Sequence, residues 1–130
     1  MEMAKRAFIS FDYDNDEDLR MLLVGQSRNS GTPFEIADWS VKEHIPTDWK
    51  TVVRDRLRRV DLMIVICGRY TDRAVGVASE VTMAQEEKVP YFLLWGRKDF
   101  ECKKPTSALH ADKIYKWTWE NLDSLIRGAR

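Results

Sequence analysis

Glu80 is the residue of this chain whose type and position best suit chemistry. It lies in the segment GRYTDRAVGVASEVTMAQEEKVPYFLLWG, where a buried strand and a polar loop precede a predicted helix. The apolar stripe of that helix, at i, i+4 and i+7, consists of Val77, Val81 and Ala84. Glu80 falls in the opening turn at the edge of this stripe, so we expect it to be neither freely solvated nor fully buried. Such a carboxylate could work in a cleft, whereas the competing interpretation is an acid that stabilises the helix dipole.

Five predicted strands alternate with helices, and this alternation predicts a single α/β domain over residues 1–130. The strands are predicted at Arg6–Asp12, Phe34–Trp39, Asp61–Cys67, Pro90–Trp95 and Lys113–Thr118. The third and fourth are continuous apolar runs, which are typical of central parallel strands covered on both faces. Right-handed crossovers then favour a three-layer, flavodoxin-like parallel sheet in the order 2-1-3-4-5, with helices on both faces.

Three further apolar stripes predict the remaining helices. In the first, Asp14 would cap the helix, Glu17 would complete a capping box, and the inward residues would be Leu19, Leu22 and Leu23. The second would begin near Pro46, after a loop from Ser40 to Ile45, and would bury Trp49, Val52, Val53, Leu57 and Val60. The terminal helix would bury Trp119, Leu122, Leu125 and Ile126.

The carboxyl ends of the first three strands indicate where a ligand would bind. In open parallel sheets, ligands lie outside these ends, near the switch point between strands 1 and 3. The residues found there are Phe11, Asp12, Tyr13, Trp39, Ser40, Gly68, Arg69 and Tyr70. Glu80 belongs to the helix that follows strand 3, so it lies on the same rim. This convergence predicts a site.

Several other kinds of site are excluded by the motifs. The run from Asp12 to Asp18 lacks the Gly and the final acid of a calcium loop, so its acids are interpreted as a solvated helix cap. The third strand ends without the acceptor Asp of a phospho-receiver, and the acidic loop after strand 1 would repel the phosphate of FMN. No GxGxxG or P-loop is present. His44 and His110 have no metal-ligand spacing, so we expect no metal site.

Composition excludes other partners. The 21 Lys and Arg residues equal the 21 Asp and Glu residues, so no net field would attract nucleic acid or an anionic membrane. The apolar runs are far shorter than the roughly 20 residues that span a bilayer, and MEMAKRAF lacks a signal-peptide core. Cys67, in a strand, and Cys102, in a polar loop, indicate no disulfide framework. We therefore expect a cytoplasmic protein.

The motifs together resemble those of bacterial TIR-like domains. KRAFISFDYDND, at the first strand, resembles their opening strand, and Thr71, Val77, Glu80 and Ala84 resemble the helix in which the catalytic Glu follows a Ser/Thr loop. The ending YKWTWENLDSLI is similar to the branch that includes the TIR-like subunit of the Thoeris antiphage system. The resemblance covers almost the whole chain. Many TIR domains carry Trp four residues before the Glu, where this chain has Gly76, so Trp39 or Tyr13 would have to form that wall.

The resemblance implies an NAD-cleaving enzyme in bacterial signalling or antiphage defence. Glu80 would stabilise the ribosyl cation left when nicotinamide departs, and the ADP-ribose product would be linear or cyclic. The substrate-binding residues implied are Phe11, Asp12, Tyr13, Trp39, Ser40, Arg69, Thr71, Arg73 and Val77, with the aromatic rings stacking on bases and the arginines meeting the diphosphate. NAD or a related nucleotide would be the substrate and no cofactor is implied. Self-association and an effector protein that responds to the product are also implied.

Two other functions stay open. One is a non-catalytic TIR-like interaction and signalling module, which the Gly76 position favours. The other is an enzyme similar to nucleoside deoxyribosyltransferases, in which Glu80 would act as a covalent nucleophile. Incubation with NAD and with nucleosides, beside a Glu80→Gln variant, separates the three functions.

Overall fold

The computed structural model describes residues 5–29, 34–39 and 49–128, and within these residues five parallel strands form one sheet. The strands are β1 (Lys5–Ser10), β2 (Phe34–Trp39), β3 (Leu62–Cys67), β4 (Tyr91–Trp95) and β5 (Ile114–Lys116). Their order is β2-β1-β3-β4-β5, and every neighbouring pair is parallel. The predicted sheet order is therefore confirmed, and the switch point lies between β1 and β3.

Helices cover both faces of the sheet. They are α1 (Glu17–Ser27), α2 (Trp49–Leu57), α3 (Val75–Glu86) and α4 (Trp119–Ile126), and a 3₁₀ turn at Thr71–Arg73 precedes α3. α1 and α4 pack on one face, in a core with Ile64 and Leu94 of the central strands. α2 and α3 pack on the other face, in a core with Met63 and Val65. The three-layer α/β architecture predicted from the alternation is confirmed.

Side-chain alternation along β1 places Ser10 on the face of the sheet that α2 and α3 cover. Ala7 and Ile9 lie in the core beneath α1 and α4, whereas Phe8 lies in the core beneath α2 and α3. Since successive residues of a strand point to opposite faces, Ser10 lies on the same face as Phe8. A fully buried hydroxyl therefore stands at the carboxyl end of β1, opposite α3.

The start of α1 differs from the prediction. The helix begins at Glu17 with Asp16 as its N-cap, and the Asp16 side chain makes no capping hydrogen bond, so neither a cap at Asp14 nor the capping box forms. The reason is a turn in which the Asp12 carbonyl accepts the N–H groups of Asn15 (3.3 Å) and Asp16 (2.8 Å), which delays the helix. Leu22 was predicted to face inward and is instead 60% exposed.

Two arginines of α2 pair with acids at the end of α3. Arg54 donates to Glu86 (2.7 Å) and Glu87 (2.9 Å) of α3, and Arg58 donates to Glu87 (2.8 Å), so these arginines join the two helices. Hydrogen bonds from Arg58 and Arg54 lower the pKa of Glu87 to about 2. The helix ends at Leu57, before Val60. Pro46, the Ser40–Ile45 loop and His44 lie outside the described residues.

Candidate active site

A cavity of about 880 Å³ opens at the carboxyl ends of β1 and β3. Its walls come from the loop after β1, the first residue of α2, the turn after β3 and the first turns of α3. The lining residues described are Phe11, Asp12, Tyr13, Asp14, Asn15, Trp49, Tyr70, Arg73, Ala74, Val75, Gly76, Val77 and Glu80. The position matches the rim predicted from the strand ends, and the volume is typical of small-molecule sites, which span roughly 300–1,000 Å³.

Glu80 is the buried acid of this cavity. It is 3% exposed, and the Ser10 hydroxyl donates a 2.6 Å hydrogen bond to its Oε1 atom. Val77 and Val81 on the same face of α3 are buried against the sheet, which brings the Glu80 carboxylate over the end of β1. The prediction of a half-exposed acid at the edge of the stripe was therefore wrong. Sequence spacing could not show that a hydroxyl on β1 would accompany this carboxylate into the interior.

The position of Glu80 along α3 also differs from the prediction. The helix begins at Val75, so Glu80 is its sixth residue and lies in the second turn, and the first turn contains no acid. Helix-dipole stabilisation is confined to the first turn. The dipole therefore does not account for Glu80, and a buried carboxylate facing a cavity requires another explanation.

The loop after β1 forms an aromatic and acidic wall. The rings of Phe11 and Tyr13 stack at 5.0 Å between centroids, with 29° between their planes. The buried carboxylate of Asp12 accepts hydrogen bonds from the Asp14 N–H (3.2 Å) and from Asn15 Nδ2 (2.7 Å). Asp12 thus contributes to the cavity mainly by holding the loop that carries Tyr13, and it is not the solvated acid predicted from the sequence.

Arg97, beyond the end of β4, holds the same loop from outside the cavity. Its guanidinium donates to the Asn15 carbonyl (2.8 Å), to Asp16 Oδ1 (3.1 Å) and to both oxygens of Asp18. Hydrogen bonding to Arg97 lowers the pKa of Asp18. Burial raises the pKa of Asp16 in spite of Arg97, because its side chain is fully enclosed and Oδ2 has no hydrogen-bond partner among the described residues.

Gly68 at the end of β3 accommodates the Asp16 carboxylate. A Cβ atom at Gly68 would lie 2.2 Å from Asp16 Oδ2 and 2.5 Å from Oδ1, closer than atoms can approach. The Gly68 N–H donates to Thr71 Oγ1 at 2.7 Å. Thr71 is fully buried and does not line the cavity, so it shapes the turn and contacts no open space. The expected substrate contact at Thr71 has no support in the structure.

The other predicted substrate-binding residues divide into three groups. Phe11, Asp12, Tyr13, Arg73 and Val77 line the cavity with Glu80. Arg69 does not line it and lies instead over the rings of Phe100 (4.2 Å) and Tyr70 (5.3 Å). The backbone of Trp39 ends β2 beside Ile9, but its side chain and the whole of Ser40 lie outside the described residues.

Two aromatic residues of the cavity were not assigned to the site from the sequence. Trp49 was assigned to the core of α2, and Tyr70 was placed on the rim without a role, yet both line the cavity. A Cβ atom at Gly76 would meet nothing within 4 Å, so the position of the usual TIR tryptophan is open space in this chain. The cavity wall is therefore built in part by Trp49 and Tyr13. The position of Trp49 as the first residue of α2 was the available signal, since helices of a parallel sheet begin near ligand sites.

The remaining chemically reactive groups lie away from this cavity. Cys67 and Cys102 are free and buried, and burial raises the pKa of the Cys67 thiol, so its thiolate is disfavoured. Cys102 lies in the loop after β4, as predicted, and its side chain is packed in the core. Over residues 5–29, 34–39 and 49–128 no group of three or more His, Cys, Asp or Glu could hold a metal ion. None of the helices described has the length and apolarity to cross a membrane.

Comparison with known proteins identifies similarities in sequence and in structure. The family model for the TIR-like domain of Thoeris protein ThsB matches residues 8–99. The crystal structure of a prokaryotic SEFIR domain superposes with a TM-score of 0.55 at 16% sequence identity, covering 95% of this chain and 91% of that chain. At this identity the structural likeness shows the fold alone. No protein of curated function matches the chain.

Proposed function

This chain belongs to the family of the TIR-like domain of Thoeris protein ThsB, and from that premise we propose that it cleaves the nicotinamide–ribose bond of NAD. The observation that carries the proposal is the buried Glu80 carboxylate, hydrogen-bonded by Ser10 at 2.6 Å, in a cavity with aromatic walls. Burial of this carboxylate is explained if the positive charge of a ribosyl cation develops beside it during the reaction.

The chemistry requires a single carboxylate. The bond between C1′ of the ribose and the nicotinamide nitrogen breaks, and its electron pair leaves with the ring, which departs neutral. The ribosyl group passes through a cation-like transition state, as in glycoside hydrolysis. Glu80 stabilises that positive charge, and Ser10 fixes the orientation of the carboxylate before the reaction begins. The cation is then captured by water, which releases a proton, or by the adenine of the same molecule.

The cavity walls suit the rest of the substrate. Phe11, Tyr13, Trp49 and Tyr70 present rings to the cavity, and the positively charged nicotinamide ring of NAD is attracted to such faces until it leaves as a neutral base. Arg73 lies at the rim and is suited to the diphosphate. Linear and cyclic products are both compatible with these residues.

The test is incubation with NAD and product analysis for the wild type, Glu80→Gln and Glu86→Gln. Gln at position 80 can still accept the Ser10 hydrogen bond, so the fold is preserved. Glu86 is an exposed acid of the same helix and serves as the matched control. We expect nicotinamide release by the wild type and Glu86→Gln, and a loss of at least about 100-fold in Glu80→Gln. Equal release by Glu80→Gln would refute the role of Glu80.

A non-catalytic interaction module is the second candidate, and Gly76 favours it because the space beside this residue holds no ring where many TIR domains carry Trp. No nicotinamide release at any protein concentration would support the module. Cleavage of nucleosides without cleavage of NAD would support the deoxyribosyltransferase-like alternative.

Self-association and an effector that responds to the product complete the proposal, in keeping with a role in antiphage signalling. If copies of the chain complete the cavity for each other, specific activity should rise with protein concentration. A specific activity that stays constant over a wide concentration range would contradict the association.

A further inference from the structure

A second recess lies beside the cavity, between the turn after β3 and the loop after β4. It has a volume of about 300 Å³, and beside the acids Asp72 and Glu101 it is lined by five basic or aromatic residues, namely Arg69, Tyr70, Arg73, Phe100 and Lys103. We call these five residues the arginine recess. Tyr70 and Arg73 also line the Glu80 cavity, so the two spaces share a wall. A ligand that extends past Tyr70 would therefore reach both.

Arg69 is held by the recess without an anionic partner. Its guanidinium lies 4.2 Å from the ring centroid of Phe100 and 5.3 Å from that of Tyr70. Neither ring can accept its five N–H groups at the edge of the guanidinium plane, and over the described residues Arg69 forms no salt bridge. A guanidinium that lies close to aromatic rings and has no carboxylate partner matches the paired oxygens of a phosphate.

A second unpaired arginine approaches the same ring. The Arg73 guanidinium lies 5.7 Å from the Tyr70 centroid and, like Arg69, has no salt bridge in the part of the chain described. Lys103 is neutralised by Glu101, at 2.8 Å. Asp72 is the one other acid that lines this space among the described residues, so an excess positive charge remains. Because both guanidiniums lie within 6 Å of the same ring centroid, an anion placed between them would be attracted to both.

We propose that the arginine recess binds the diphosphate of a nucleotide whose other end occupies the Glu80 cavity. Which end enters the cavity rests on the proposed function, whereas diphosphate binding itself does not. Arg69 would contact the phosphate oxygens, Phe100 would hold Arg69 in place, and Arg73 would bridge the two spaces. Arg69 would therefore contact the substrate in the arginine recess, although it does not line the Glu80 cavity.

The experiment measures ADP binding by calorimetry, because ADP lacks the bond that the enzyme would cleave. We compare wild type, Arg69→Gln and Phe100→Leu, with Arg28→Gln as the control. Arg28 is exposed after the last turn of α1 and lines neither the Glu80 cavity nor the arginine recess. We expect the Kd for ADP to rise about fivefold or more in Arg69→Gln. We expect a rise of roughly two- to fivefold in Phe100→Leu, and no change in Arg28→Gln.

Two further ligands, adenosine and pyrophosphate, separate binding of the nucleoside from binding of the phosphates. Adenosine should bind wild type and Arg69→Gln equally, because it carries no phosphate, and pyrophosphate should bind wild type more weakly than ADP does. Unchanged ADP binding in Arg69→Gln would overturn the proposal. Pyrophosphate binding as tightly as ADP would overturn the link between the recess and the cavity. Absence of NAD cleavage together with ADP binding that depends on Arg69 would refute the proposed function and support the recess.

Discussion

Removal of the Ser10 hydroxyl tests how the buried carboxylate is positioned. Ser10 and Glu80 are both enclosed, so a Ser10→Ala variant replaces a 2.6 Å hydrogen bond with a methyl group and leaves Glu80 in place. A hydrogen bond to a charged group contributes roughly 1.5–3 kcal/mol. If that contribution is made in the transition state, nicotinamide release should slow by roughly 10- to 150-fold.

The decrease should appear in kcat. Ser10 does not line the cavity, so the KM for NAD should change by less than about twofold. Ser79→Ala is the matched control, since Ser79 is the residue before Glu80 on α3 and lines the groove between α2 and α3. Urea unfolding of both variants separates a catalytic effect from a loss of folded protein.

A double-mutant cycle makes the test specific. In a Glu80→Gln background the Ser10→Ala change should cost little further activity, because the two residues act through one group. Wild-type kcat in folded Ser10→Ala protein would refute the positioning role. A loss of equal size in both backgrounds would show that Ser10 acts independently of Glu80.

Three further changes test the surroundings of the site. Gly68→Ala should destabilise the protein by about 1–3 kcal/mol in urea unfolding, because its Cβ would overlap the Asp16 carboxylate, and wild-type stability would contradict that contact. Gly76→Trp should leave stability within about 0.5 kcal/mol and lower the KM for NAD, since the space there is open. A raised KM would show that the ring obstructs the cavity. The raised pKa of Asp16 means that the native state holds a proton which the unfolded chain releases, so this group's contribution to stability falls as pH rises from 3.8 to the raised pKa. The urea midpoint of Asp16→Asn should lack the pH dependence that Asp16 contributes. Identical pH profiles of the urea midpoint for wild type and Asp16→Asn would contradict this prediction.

Most of the fold could be predicted because it depends on local patterns. The apolar runs of β3 and β4 and the alternation in β1 report which faces are buried, and the strand order follows from connection rules. The start of α1 could not be predicted in the same way. The cap was predicted at Asp14, whereas the start of the helix depends on a turn closed by the Asp12 carbonyl and on Arg97 from a distant loop.

The candidate site was predicted in position and only partly in composition. Glu80, Tyr13 and Arg73 were placed on the rim because strand ends converge there, and all three line the cavity. The burial of Glu80 could not be predicted, because it depends on a hydroxyl 70 residues away in the sequence. Thr71 was also expected at the site, but it is buried and accepts the Gly68 N–H, and the sequence could not distinguish this contact from binding of a substrate.

The clamp by Arg97 has a consequence for the order of assembly. Asn15 and Asp18, just after the loop that carries Phe11 to Tyr13, are bound by Arg97 at separations of 82 and 79 positions, and the Ser10–Glu80 contact spans 70. Contacts so distant along the chain form late, after the loop-closure entropy between them has been overcome. A chain whose synthesis has not yet passed Arg97 therefore contains Ser10 and Glu80 but lacks the residue that holds the start of α1 beside the cavity.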